Sequence, residues 1–213
     1  MQLISLPCGP LAVNTYIVSD GVGGPCAVID PGDARVVLDC LRREGNTCEQ
    51  ILLTHGHFDH IWGVSELVAA TGASVAIHVN DADKLQSSRK SLAVLIGRAL
   101  PAAKASRLLR DGDTISCGEL LFSVIHTPGH SEGGVCYVLE QERVIFCGDT
   151  LFQDSVGRTD FPGANPATLV RSVRERLFPL LGDYTLYPGH GPATTLAHER
   201  RCNPFVNAGE DGQ

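Results

Sequence analysis

Residues 54–63 read THGHFDHIWG and place His55, His57, Asp59 and His60 within six positions, directly after the apolar run Ile51-Leu52-Leu53. The whole chain holds 8 histidines, so three in one short loop ask for a chemical reason. His55 and His57 stand two apart, and a loop can aim both imidazoles at one point. Asp59 and His60 can aim at a second point close by. Nitrogen and carboxylate donors without a thiolate suit zinc, iron or manganese. A structural zinc site would more often use cysteine, and none lies in this stretch.

Further donors have to come from elsewhere in the chain, and three later segments repeat the pattern of a polar residue after an apolar strand. FSVIHTPGHSEGG offers His130 after Pro128-Gly129, RVIFCGDTLF offers Asp149 after a glycine, and YTLYPGHGP offers His190, again after Pro-Gly. A glycine at such a place lets backbone approach a crowded centre where a Cβ would not fit. His55, His57 and His130 could hold one metal ion. Asp59, His60 and His190 could hold a second, with Asp149 bridging the two. His78, His126 and His198 read as packing or surface residues.

The elements that must carry these loops alternate along the chain. Strands are expected over 13–18, 26–30, 51–54, 74–77, 120–126, 135–139, 144–147 and 185–187, from short β-branched and apolar runs bounded by Gly, Pro and Asn. Helices are expected over 33–44, 61–70, 166–181 and 195–201. The third has Pro166 in its first turn and Leu169, Val170, Val173 and Leu177 at core spacing. Many short strands with helices between them call for two sheets with helices outside, a layered α/β protein.

The bounds are those of an ordinary globular chain. Its 213 residues, 43% of them hydrophobic, suffice for one domain, expected over 1–207, with AGEDGQ at 208–213 a mobile tail. No apolar run approaches the roughly 18 residues of a membrane helix. The start, MQLISLPCGPLAV, has neither a basic region nor a cleavage site, which points to the cytoplasm. The 8 cysteines form no C-x-x-C pair and read as small packed side chains rather than disulfides. A net charge of −7 argues against nucleic acid, which selects a basic face.

That charge is uneven. Lys84, Arg89, Lys90, Arg98, Lys104, Arg107 and Arg110 fall in one stretch without an acidic residue. It reads either as a solvated pair of helices or as a cationic rim beside a pocket for an anionic substrate.

THGHFDH, HTPGHSEGG, CGDTLF and PGHGP, in this order and over nearly the whole chain, resemble the metallo-β-lactamase superfamily. The resemblance implies a four-layer αββα sandwich with the metals at one edge of the two sheets, and it implies the ligand scheme given above. The turn Asp30-Pro31-Gly32 is similar to the family's turn whose carboxylate orients a ligand loop. VGRTDFPGA (156–164) and GHGPATTLAHERRCNPF look most like short bacterial relatives of glyoxalase II, the hydroxyacylglutathione hydrolases. β-Lactamases proper usually carry Cys or Ser where this chain has Asp149. Full-length glyoxalase II adds a C-terminal helical domain that contacts glutathione, and this sequence ends at Gln213 without one.

What the resemblance implies is a cytoplasmic metallohydrolase for a small-molecule acyl thioester. Two divalent ions, zinc before iron or manganese, would acidify a water that attacks the carbonyl. Asp59 and Asp149 would be the catalytic carboxylates. Arg158, Arg89, Lys90 and Arg98 are candidate substrate contacts, with Arg158 also expected to pair with Asp160 and fix the loop after Asp149. Other readings are an Fe(II) persulfide dioxygenase of the same fold, a metal-binding module without catalysis, and a nuclease of the superfamily.

Overall fold

A computed structural model describes residues 1–207; the tail expected at 208–213 lies outside the described residues. One sheet orders β1 (Gln2–Cys8), β2 (Val13–Ser19), β3 (Pro25–Ile29), β4 (Thr47–Leu52), β5 (Ser74–His78) and β6 (Arg107–Leu109) side by side. The first three strands are antiparallel and the last three join on in parallel. The second sheet contains β7 (Thr114–Cys117), β8 (Leu120–His126), β9 (Val135–Leu139) and β10 (Val144–Gly148). After a small hairpin, β11 (Leu151–Phe152) and β12 (Ser155–Val156), it is completed by β13 (Thr185–Pro188) and β14 (Thr194–Thr195), in the order β14-β13-β10-β9-β8-β7.

Side chains of successive strand residues point to opposite faces, and here both faces are apolar. On β3, Cys26 and Val28 join one buried cluster while Ala27 and Ile29 join another; on β4, Ile51 and Leu52 divide the same way. On β10, Val144 and Phe146 enter the layer between the sheets, and Ile145 and Cys147 the layer beyond it. The outer layers are closed by helices. Val37 and Leu41 of α1 (Ala34–Glu44), Ile61 of α2 (Phe58–Ile61) and Leu67 of α3 (Val64–Thr71) cover the first sheet. Leu169 of α4 (Pro166–Ser172) is buried at its start. The π-helical turn that continues it (Val173–Leu177), α5 (Leu196–Cys202) and α6 (Pro204–Asn207) cover the second with Val173, Leu177, Leu196 and Val206. Three apolar layers between four layers of structure make the αββα sandwich.

Several elements differ from the sequence expectation. β1 escapes a periodicity reading because it is a half-exposed edge strand carrying Pro7, which only an edge tolerates. β4 starts at Thr47 rather than Ile51 because parallel pairing with β3 recruits polar residues. The helix expected over 61–70 begins at Phe58 and is divided by Gly63, where a Cβ would lie 2.6 Å from the Ala34 nitrogen. The helix expected over 166–181 is α-helical only to Ser172. The basic stretch 84–110 is not a pair of helices; it holds the end of one 3₁₀ helix (Val79–Gln86), a second (Ala93–Ile96) and the strand β6. All 8 cysteines are free, and only Cys202 is exposed. No helix among the described residues is long and apolar enough to cross a membrane.

Candidate metal centre

The chain leaves β3, β4, β8, β10 and β13 at one edge of the sandwich, and Asp30, His55, His130, Asp149 and His190 follow these strands within four residues. A rigid strand end followed by a polar loop residue is how a scaffold holds chemistry open to solvent. Asp30 sits first in this arrangement. Its backbone is left-handed at φ 50°, a conformation aspartate tolerates better than most residues. Its carboxylate accepts the Thr54 backbone N–H at 2.8 Å and the Thr54 hydroxyl at 2.5 Å, and it pairs with Nδ1 of His60 at 2.8 Å.

These contacts set the imidazole tautomers. His130 Nδ1 lies 2.7 Å from the Arg158 carbonyl, which can only accept, so Nδ1 carries the proton and Nε2 is free. Nδ1 of His60 is held by a carboxylate in the same manner. Thr54 spends its proton on Asp30 and accepts from Nδ1 of His55 at 3.1 Å. Three free Nε2 lone pairs therefore face inward, the arrangement a cation needs.

Two groups of donors result. His57 Nδ1 lies 2.9 Å from His130 Nε2, which lies 3.2 Å from His55 Nε2. Asp59 Oδ2 lies 3.2 Å from His190 Nε2 and 3.7 Å from His60 Nε2. Asp149 stands between them, with Oδ1 3.4 Å from His60 Nε2 and Oδ2 3.5 Å from His130 Nε2. Both triads could hold a metal ion. His60 Nε2 and Asp149 Oδ1 are buried and have no hydrogen-bond partner, a costly state for atoms out of water. A cation at this point satisfies both, so the residues present fit a metal. Gly189 makes room for the cluster, since a Cβ there would lie 2.3 Å from Asp149 Oδ1 and 2.6 Å from His60 Cε1.

The electrostatics divide along the same line. Burial and the neighbouring rings lower the pKa of His55, while burial and His130 bring His57 to about 3. Burial lowers His130 against the pull of Asp149. At His60 burial is outweighed by Asp59, Asp149 and Asp30, and the pKa rises; at His190 it is outweighed by Asp59 and Asp149. Burial would raise Asp149, but His60 and His130 hold it below the usual carboxylate range.

All seven donors named from the sequence thus come together. A cavity of about 310 Å³ opens over His57, Asp59, His130, Asp149 and His190. Its walls are Leu11, Phe58, Leu92, Leu95, Phe152 and Phe161. A side cleft of about 120 Å³ shares Phe58 and Asp59 with it and reaches Arg98. A hollow of about 660 Å³ near the ends of α1 and α3 is larger, but none of the seven donors lines it.

The four candidate cations fare differently. Arg158 lines the cavity, pairs with Asp160 at 2.7 Å and lies over Phe161 at 4.6 Å; its direct link to the centre is its carbonyl. Arg98 lines the side cleft, 4.8 Å over the Trp62 ring, with no carboxylate partner among the described residues. Lys90 is engaged by Asp83, and Arg89 lines neither space. Lys84, counted in the cationic rim, is instead buried and paired with Asp81. His78 stacks on His126 at 4.0 Å and His198 pairs with Asp154 at 2.7 Å, both away from the centre.

Sequence reasoning missed Asp81, fully buried and bonded to the backbone of Gly56 and Gly133. It belongs to no ligand motif, and its only local signal is a lysine three residues on.

Comparison with known proteins agrees with this geometry. The hydroxyacylglutathione hydrolase GloC of Haemophilus influenzae is 35% identical over 98% of this chain and 99% of its own length. The crystal structure of the BLEG-1 B3 metallo-beta-lactamase superposes with a TM-score of 0.92 at 37% identity, over 97% of this chain and all of that one. TTHA1623 in a di-iron-bound form gives a TM-score of 0.83 at 38% identity, over 96% of this chain and all of that one. A family model described as Metallo-beta-lactamase superfamily matches residues 8–190, a span that holds every donor of the centre, and the chain belongs to that superfamily.

Proposed function

We propose that this chain is a binuclear metallohydrolase of acyl thioesters of the hydroxyacylglutathione type, formed by residues 1–207 as one domain. His55, His57 and His130 would hold one divalent ion, Asp59, His60 and His190 the other, and Asp149 would bridge them. The donors suit zinc first, and iron or manganese also. The observation that carries the reading is Asp149, within 3.8 Å of His130 in one triad and of His60 and His190 in the other, beside a buried His60 Nε2 with no hydrogen-bond partner. The likeness to GloC over the full length supports the substrate class.

When bound, the ions supply an acidified water for attack on the thioester carbonyl and neutralise the charge that develops on its oxygen. The chain's own residues do the rest. Asp30, Thr54 and the Arg158 carbonyl keep imidazole lone pairs inward. Asp59 and Asp149 bring the negative charge that draws cations to the cavity floor. Leu92, Leu95, Phe152 and Phe161 form an apolar mouth that takes the carbon chain of a substrate and excludes bulk water. Arg98, in the side cleft, takes an anionic end of the substrate, with Arg158 on the wall of the main cavity. Of the basic stretch, this leaves Arg89 and Lys90 a weaker part in substrate binding.

The test is metal analysis of the purified protein, followed by turnover of S-D-lactoylglutathione, a neutral acyl thioester and a chromogenic β-lactam with that metal restored. The expected result is thioester hydrolysis that a chelator abolishes, and an Arg98→Gln change that lowers kcat/KM several-fold on the anionic thioester only. Hydrolysis that persists after complete metal removal would sink the mechanism. The β-lactam arm tests a second reading, β-lactam hydrolysis, which rests on the likeness to BLEG-1.

A further inference from the structure

We propose that Asp81, backed by Lys84, is a positioning residue that locks together the two loops carrying His55, His57 and His130; this rests on the reading of that triad as a metal site. The two loops leave different sheets. His55 and His57 follow β4 in the first, and His130 follows β8 in the second. Their nitrogens must nevertheless keep a mutual geometry to within a few tenths of an ångström, because a metal ion tolerates little error in ligand distance.

Asp81 comes from neither loop. It lies in the 3₁₀ helix after β5, and its side chain is fully buried. Oδ2 accepts the N–H of Gly56, the residue between His55 and His57, at 2.8 Å. Oδ1 accepts the N–H of Gly133, three residues after His130, at 2.7 Å, and the Lys84 ammonium at 2.6 Å. One carboxylate therefore fastens both loops to a common post.

The glycines make an independent case. A Cβ on Gly133 would lie 2.7 Å from the Asp81 side chain, and one on Gly56 would lie 2.6 Å from Cβ of Lys84. Unlike Gly189, these two are small to admit the Asp81–Lys84 pair rather than the ligands themselves. Each loop thus holds a glycine whose N–H and whose missing side chain both answer to Asp81 and Lys84.

The ion pair explains why the post is an aspartate with a lysine beside it. Two backbone donors and an ammonium converge on it, and a neutral amide would turn an N–H₂ toward one of them. A buried carboxylate without a counter-charge would be costly, and Lys84, itself nearly buried, supplies one within the same turn. Lys84 is thereby taken out of the cationic stretch: its charge serves the frame of the centre, not the substrate.

The experiment isolates each half of the centre and measures zinc affinity by chelator competition, without substrate. On a His190→Ala background, which leaves the three-histidine half, Asp81→Asn should weaken zinc about 10- to 100-fold, the range for partners that orient metal ligands. On a His57→Ala background, which leaves the carboxylate half, the same change should alter affinity by less than about threefold. Thermal melts of the metal-free proteins report folding in parallel. Asp81→Asn combined with Lys84→Met removes the stranded ammonium and should show the same one-sided loss, so poor folding of the single variant does not decide the matter. Equal weakening on both backgrounds, or none on the first, overturns the clasp and leaves the hydrolase reading intact. An unmodified chain that binds no zinc overturns the metal reading and the clasp with it.

Discussion

His55, His57 and His130 lie at most 6% exposed, in a nest of mutual ring contacts, with the Asp149 carboxylate 3.5 Å from His130. Asp59, His60 and His190 form a second nest that mixes two imidazoles with a carboxylate, and His190 is 29% exposed at the cavity wall. Burial disfavours positive charge on the rings of the first group, whereas at His60 and His190 the carboxylates outweigh burial and favour positive charge there. Their supports also differ. Backbone amides clasped by Asp81 brace the first, whereas the Asp30 carboxylate grips the ring of His60 in the second. One centre thus contains an all-imidazole half that depends on loop placement and a half rich in carboxylate, with His190 its most exposed donor, that depends on the Asp30 carboxylate; the cavity opens over both.

The bridge between the halves should give the largest effect when removed. Asp149→Ala takes away the carboxylate that lies against both triads, so metal content should fall from two equivalents to one or fewer, and turnover by at least about 100-fold. His78→Ala, remote from the centre, should leave metal content unchanged. Equal loss from both changes would contradict the assignment of Asp149.

Asp30→Asn should produce a smaller defect weighted toward the carboxylate half, because Asp30 touches the His60 ring directly and reaches His55 only through the Thr54 hydroxyl. It loses the charge that fixes Nδ1 of His60, and zinc in the carboxylate half should weaken about 10-fold or more. Three donors then meet a single amide oxygen, which also costs about 1–3 kcal/mol of stability, measurable by denaturant unfolding. A defect confined to the three-histidine half would undo the division of supports drawn above.

The smallest expected effect sharpens the contrast from outside the centre. His78 is 4% exposed, stacks on His126 and accepts the Asn80 N–H on Nδ1. Burial first, then His126, lowers its pKa to about 4. The unfolded chain therefore takes up the proton first as pH falls. Stability held above pH ~6.5 is lost progressively down to pH ~4, by at most about 3 kcal/mol. Between pH 7 and pH 4.5, with metal removed, the melting temperature of His78→Gln should fall several degrees less than that of the unmodified chain. Parallel curves would show that His78 does not carry this pH dependence.

The sequence by itself picked out the seven side chains that the structure gathers into the candidate centre. Each of the seven follows an apolar strand or opens the helix behind one, and Pro-Gly or a lone glycine marks three of the four segments, so local pattern carried the signal. Many short strands alternating with helices made a layered α/β protein legible, and the family resemblance supplied its αββα order. Elements without such a pattern were not legible: β1 is a half-exposed edge, β7 has four residues, and the 3₁₀ turns of the basic stretch lack helical periodicity. Only the tertiary structure decided how the charges are used. Lys84, Lys90 and Arg98 look alike in the chain, yet one is buried against Asp81, one is engaged by Asp83, and one lies over Trp62 beside the cavity. The choice for Arg98, like Asp81's hold on Gly56 and Gly133, joins residues 25 to 52 positions apart. Those partners meet because β4, β5 and β8 end at one edge, and a side chain's charge is spent on whichever partner the packed layers bring within reach.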